Sequence, residues 1–178
     1  MRVRKTGLVC SIFPIFAPRY SHVSKEQEMN EFDQIASGWD DDPMHIERSE
    51  AVAAAILKML PLKKDMIALE YGAGTGLLSF LLKDHLGEIT PMDNSEGMLG
   101  ILRDKILRRK SHNLKPLFFN LEEEDYPVQF DCIFNQMVLH HVEDTGEIVK
   151  KFHKMLYPGG YLAIADLYPE DGSFHGPG

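Results

Sequence analysis

Three glycines at alternate positions, Gly72, Gly74 and Gly76, follow the acidic residue Glu70 and lie between two apolar runs. Lacking a Cβ, such residues let the chain turn through angles closed to others and let a ligand touch main-chain atoms. A helix starting behind them would add unpaired N–H groups and the positive end of its dipole. The turn therefore suits a polar, nucleotide-like molecule. Spacing narrows the choice: a dinucleotide fingerprint would need its third glycine at position 77, where Leu77 stands, and a Walker loop would need a lysine that this loop lacks. Asp93, 17 residues beyond Gly76, is near the offset at which a carboxylate accepts from both hydroxyls of a ribose. Its competing role is to cap the next helix. His140 and His141 are the candidates for a catalytic base, if the chemistry acts on a hydroxyl or a carbon acid. The plainer reading has one of them packed under the following helix and the other solvated.

These residues need elements to carry them. Residues 67–82 read as strand, tight turn and helix, with the strand at 66–70, the helix at 76–86 and Gly87 as a left-handed cap. Further strands are predicted at 88–92, 117–119, 130–135 and 161–166, with helices at 96–109 and 144–156. Pro91 is awkward inside a strand, so either a short strand or an unpaired carbonyl opposite it is expected. The run Glu122 to Asp125 reads as a solvated loop, and Pro158-Gly159-Gly160 as a turn before the fifth strand. Upstream, Phe32, Ile35, Ala36 and Trp39 fall at helical spacing. Asp42-Pro43 then opens a helix to about Met59, with Ala51, Ala54, Ala55 and residues 57–60 on its apolar side, and Pro61 ends it. Continuous apolar strands alternating with helices predict an α/β doubly wound, mainly parallel sheet covered on both faces. Ligands of such sheets bind beyond the carboxyl ends of the strands.

The 178 residues, 44% apolar and 10% aromatic, suffice for one domain with a real core. A net charge of −8 disfavours duplex nucleic acid, so no DNA partner is expected. Cys10 and Cys132 lie far apart and read as reduced thiols in a cytoplasmic protein, with no metal-ligand spacing and no metal expected. Arg2, Arg4 and Lys5 before an apolar run have the layout of a secretory signal, but Pro14 interrupts it and no small-x-small site follows. Residues 1–28 are therefore expected to be a poorly ordered extension, with the domain at 29–178. No stretch reaches the length of a membrane span.

Four segments together resemble the class I S-adenosylmethionine-dependent methyltransferases. They are Glu-x-Gly-x-Gly-x-Gly at 70–76, Met-Asp-Asn-Ser-Glu-Gly-Met-Leu at 92–99, Phe-Asp-Cys-Ile-Phe-Asn-Gln-Met-Val-Leu-His-His-Val at 130–142, and Leu-Tyr-Pro-Gly-Gly-Tyr-Leu at 156–162. The resemblance covers residues 30–171 and is nearest the ubiquinone and menaquinone C-methyltransferase-like, small-molecule branch. It implies a Rossmann-like sheet of order 3-2-1-4-5 and S-adenosyl-L-methionine as cofactor. By that likeness Gly72, Ala73, Gly74 and Gly76 lie against the methionine part, Glu70 orders its amino group, and Asp93 holds the ribose. Asn94 and Met98 flank the adenine, Asn120 and Leu121 read its edge, and Asn135 and Gln136 face the methionine end. Residues 32–39 resemble the helix that closes over the cofactor in small-molecule enzymes. Amino-methylation of nucleobases is excluded because Asn135-Gln136-Met137-Val138 is not an Asn/Asp-Pro-Pro-Tyr/Phe motif, and arsenic methylation because it needs several cysteines. The implied function is methyl transfer to a small-molecule acceptor by in-line displacement. Only twelve residues follow Asp166, so the sheet is expected to lack the strand 6/7 hairpin of the family and the domain to be truncated at its C-terminus. The alternative reading is accordingly a catalytically silent or incomplete cofactor-binding domain, and a partner or dimer mate is expected to cover strand five.

Overall fold

The computed structural model describes residues 31–167, so the expectations for residues 1–28, for Cys10 and for the segment after Leu167 lie outside the described residues. Five strands, β1 (Ile67–Tyr71), β2 (Glu88–Asp93), β3 (Leu117–Phe118), β4 (Phe130–Gln136) and β5 (Leu156–Ala165), form one sheet of order β3-β2-β1-β4-β5. Every pairing is parallel. Successive strands run outward from β1 to β3 on one side and from β4 to β5 on the other, so the switch point lies between β1 and β4 and opens a crevice beyond their carboxyl ends.

The helices are α1 (Glu31–Ile35), α2 (Pro43–Met59), α3 (Leu77–Leu82), α4 (Glu96–Arg109) and α5 (Thr145–Met155). Their starts follow from local chemistry. Asp42 accepts from the Met44 N–H at 2.8 Å, Ser95 from the Met98 N–H at 3.1 Å and Asp144 from the Glu147 N–H at 2.9 Å, each satisfying an otherwise orphan donor. Alternation along β1 then divides the core. Ala68 packs with Leu78, Leu82, Ile89 and Phe134 on one face, and Leu69 packs with Ile133, Ile148 and Phe152 on the other. Leu69, Leu82, Ile133 and Phe152 are completely buried, and each such side chain contributes about 1.5–3 kcal/mol.

Several expectations are corrected. Of the two outcomes expected at Pro91, the short strand does not occur: β2 keeps its full length. Ile89 gives both its N–H and its carbonyl to the 113–115 segment and Asp93 gives its carbonyl to Phe119, so period-2 alternation turns the missing donor of Pro91 toward β3. The shortness falls on β3, which has two residues. Gly87 is not left-handed: a Cβ there would lie 2.6 Å from the Lys64 carbonyl oxygen, so close backbone approach excludes a side chain. In α2 the buried residues are Ser49, Ala53 and Ile56, whereas Ala51, Ala54, Ala55 and Leu57 are exposed. Apolar residues on several sides of that helix had hidden its true face. Pro158-Gly159-Gly160 lies inside β5 as an irregularity, where Phe130 pairs Leu156 and Cys132 pairs Tyr161, with Gly159 at φ 90°.

Candidate functional site

A cleft of about 380 Å³ opens at the carboxyl ends of β1, β2 and β4, within the size range of small-molecule sites. Glu70, Gly72, Ala73 and Gly74 line it from β1 and the turn, and Asp93, Asn94 and Met98 from the end of β2 and the start of α4. Asn120, Leu121 and Gln136 complete the expected residues on its wall. Gly74 has φ 53°, and a Cβ there would meet only the Met98 sulfur, at 3.9 Å. The left-handed turn thus leaves room against the main chain where a ligand would lie.

Gly76 and Asn135 are not on the wall, which corrects the expectation for both. Gly76, at φ 80°, begins α3, and a Cβ on it would lie 2.5 Å from Leu102 Cδ1, so its smallness serves helix packing. Asn135 is fully buried, and neither of its amide atoms has a hydrogen-bond partner among the described residues. Asn120 reaches the wall, but its side chain is occupied by its own turn: Oδ1 accepts from the Glu122 N–H at 3.0 Å and Nδ2 donates to Glu123 Oε1 at 3.1 Å.

The two acidic residues are held differently. Glu70 is buried and accepts a hydrogen bond from the Ser79 hydroxyl on α3. Burial pushes its carboxyl up to about 8, against the opposing pull of that hydrogen bond. Asp93 Oδ2 accepts from the Gly74 N–H at 2.6 Å and Oδ1 from the Ser95 N–H at 2.9 Å, which ties the glycine turn to the end of β2. Burial raises its carboxyl above the ordinary range, and these N–H groups oppose the rise. Asp33 of α1 accepts from the Ser95 hydroxyl at 2.5 Å and the Gly97 N–H at 2.8 Å, so the N-terminal segment is fastened to the same corner.

At the other end, both histidines line the cleft, where the plainer sequence reading had one packed and one solvated. His140 Nδ1 lies 2.7 Å from Asp166 Oδ1. Asp166 Oδ2 in turn accepts from the Val138 and Leu139 N–H groups at 3.0 and 2.7 Å. Burial alone would raise the Asp166 carboxyl, but the His140 ring and three main-chain donors outweigh it and hold it below the usual value. The His141 ring meets Phe32 edge-on at 5.3 Å, and Trp39 stacks on His45 at 4.0 Å. Gln136 donates to Ser49 Oγ at 3.0 Å and Ser49 donates to the His45 carbonyl at 2.8 Å, which fixes the amide orientation. Gln136 Oε1 is left buried without a partner.

Arg48 also lines the cleft, and among the described residues no carboxylate pairs with it. Asp166, Arg48, Ser49 and His45 were missed by sequence reasoning. Asp166 carried a usable signal, since it stands at a strand end as Asp93 does. The other three carried none, because they lie on the side of α2 that its apolar residues concealed. Among the described residues no group of three or more His, Cys, Asp or Glu side chains is placed to hold a metal ion. No helix among them is long and apolar enough to cross a membrane.

Comparison with known proteins adds the family. Residues 44–175 match the family described as Methyltransferase domain. An uncharacterized methyltransferase of Schizosaccharomyces pombe, C1347.09, is 29% identical over 122 residues, which are 64% of this chain and 43% of that protein. The demethylmenaquinone methyltransferase of Listeria monocytogenes is 28% identical over 114 residues, 62% of this chain and 48% of the relative. The chain thus spans a little under half the length of these curated relatives. The solved DhpI-SAM-HEP complex superposes with a TM-score of 0.65 at 21% identity, over 81% of this chain and 66% of that one, a likeness of fold. By the matched family, the parallel sheet of order β3-β2-β1-β4-β5 and the turn that ends β1, this chain belongs to the methyltransferase-domain family, in its class I S-adenosylmethionine-dependent, Rossmann-like form.

Proposed function

We propose that the chain transfers a methyl group from S-adenosylmethionine to a small-molecule acceptor by in-line displacement. One observation carries the reading: the Gly72–Gly74 turn, Asp93 and His140, whose ring is held by Asp166, all line a single cleft. The residues present fit the cofactor. Gly74 leaves room along the main chain, Asp93 retains lone pairs for ribose hydroxyls, and Gln136 Oε1 and Arg48, neither of which is paired among the described residues, supply an acceptor and a cation. In this reading Arg48 takes the carboxylate and Gln136 Oε1 the ammonium of the methionine end. Asn94 and Met98 flank the adenine, with Leu121 at its edge.

When bound, the cofactor supplies an already activated methyl group. The chain's own part is to hold donor and acceptor in line and to keep water out. Asp166 accepts a hydrogen bond from the Nδ1–H of His140, which holds the ring in the tautomer whose Nε2 is the basic nitrogen. That nitrogen removes a proton from an acceptor hydroxyl or carbon acid as the new bond forms. Phe32, Trp39 and Met137 supply apolar wall on the acceptor side. The reading also holds that the protein works in the cytoplasm and that a second copy or partner covers β5, which pairs only with β4 among the described residues.

Calorimetric titration with S-adenosylhomocysteine, beside a labelled methyl-transfer screen over phenols, quinols and carbon acids, tests the proposal. Binding with turnover of at least one acceptor is the expected result. Absence of binding would overturn it, and binding without turnover of any acceptor would leave only a cofactor-binding domain.

A further inference from the structure

The 3-10 turn Ala36–Asp41 joins α1 to α2, and its last-but-one residue reaches two other elements. Asp40 Oδ1 accepts from the Thr75 hydroxyl at 2.5 Å, and its Oδ2 accepts from Lys105 Nζ at 2.6 Å. Thr75 closes the glycine turn and is 1% exposed; Lys105 is in the middle of α4 and is 8% exposed. One residue before Asp40, Trp39 forms part of the cleft wall, its ring stacked on His45 and its carbonyl oxygen 2.8 Å from His45 Nδ1. Asp40 itself is not on that wall. A single carboxylate thus connects the turn that faces the ligand, the helix that follows β2 and the aromatic side of the cleft.

A charged lysine is rarely buried without a partner, and losing Asp40 would strand both its ammonium and the Thr75 hydroxyl. The neighbouring groups would then have to move to find water. Movement of that kind displaces Trp39 relative to Gly74, and displacements of about 1 Å in a methyl-transfer geometry are costly. We propose that Asp40 is a positioning residue, which acts through Thr75 and Trp39 to set the spacing between the glycine turn and the aromatic wall. The inference rests on the cofactor reading above only for its ligand arm.

Trp39 is the one tryptophan in the chain, so its emission reports this spacing without any ligand. Asp40→Ala, Asp40→Asn and Asp40→Glu are compared with wild type by emission maximum, acrylamide quenching and S-adenosylhomocysteine titration. Asp40→Ala is expected to red-shift the emission, raise the quenching constant about threefold and weaken the ligand about tenfold. Asp40→Glu keeps the charge and is expected to restore most of both. Asp40→Asn keeps an acceptor for Thr75 without the charge and should fall between them. Ile148→Val, in the core on α5, serves as a control that lowers stability while leaving Trp39 and ligand affinity as in wild type. Unchanged quenching and affinity in a folded Asp40→Ala would overturn the proposal; if that variant does not fold, unchanged values in Asp40→Asn would do so. Should wild type bind no S-adenosylhomocysteine, the function reading fails, while the ligand-free quenching still decides the role of Asp40.

Discussion

Replacing Glu70 by Gln should flatten the dependence of stability on pH. Glu70 is 3% exposed near the end of β1, and burial moves its carboxyl from an ordinary 4.5 to about 8. Between those values the folded chain keeps a proton that the unfolded chain gives up. The contribution to stability is therefore complete below about 4.5 and is lost as pH rises through about 8. At ~1.36 kcal/mol per unit, the loss from pH 5.5 to pH 8.5 is about 3 kcal/mol, an upper value because a buried site relaxes. Gln fills nearly the same volume, still accepts from the Ser79 hydroxyl and cannot ionise. Urea unfolding followed by Trp39 emission, extrapolated to water at both pH values, gives the four free energies required. Histidine titrations distant from Glu70 cancel in the difference between wild type and variant. Wild type should lose about 2–3 kcal/mol more than Glu70→Gln across the interval. Parallel losses, within ~0.5 kcal/mol, would refute the buried, protonated carboxyl. A ligand ammonium close to Glu70 should also draw the proton out. Calorimetry of S-adenosylhomocysteine at pH 7 should then show buffer-dependent heat in wild type and none in the variant.

Gly76→Ala is expected to cost about 2–4 kcal/mol, since the new methyl group meets Leu102 at a left-handed position; Gly74→Ala should lose only about 1 kcal/mol of stability but much of its ligand affinity. Thermal melts and ligand titration separate the two, and equal stability losses would undo the distinction. His140→Ala and Asp166→Asn should each slow transfer to an acceptor that must lose a proton by about 10²–10⁴. Affinity for S-adenosylhomocysteine should stay within about twofold, and undiminished turnover would remove the base from the mechanism. Arg48→Met should weaken S-adenosylhomocysteine about tenfold while leaving 5′-methylthioadenosine, which lacks the carboxylate, unaffected. Equal effects on the two ligands would place Arg48 elsewhere in the reaction.

Much of the frame was legible in the residues. The helix at 96–109 was read to its ends, and Asp42-Pro43 marked the start of α2, because caps and prolines act through local sterics and hydrogen bonds within a few positions. The glycine turn and Asp93 were legible for the same reason, each set by its place at the end of an apolar run. Less legible was the phase of an element. Adjacent strand residues point to opposite faces, and it is the sheet's packing that turned Gln136 to the cleft and Asn135 into the core. The apolar residues of α2 likewise offered two faces, and only packing against α3 and the sheet, with Gln136 of β4 on Ser49, selected Ser49, Ala53 and Ile56.

By itself the sequence determined the order of strands and helices, the nature of the turn after β1 and the family to which the chain belongs. Tertiary structure alone decided which groups meet across the cleft. His140 and Asp166 are 26 positions apart, Asp40 and Lys105 are 65, and Gln136 and Ser49 are 87. No periodicity connects residues at such separations. Their hydrogen bonds exist because β1, β4 and β5 lie side by side and α1 and α2 fold back over the sheet's carboxyl end, where burial strengthens each bond and also raises the proton affinity of Glu70.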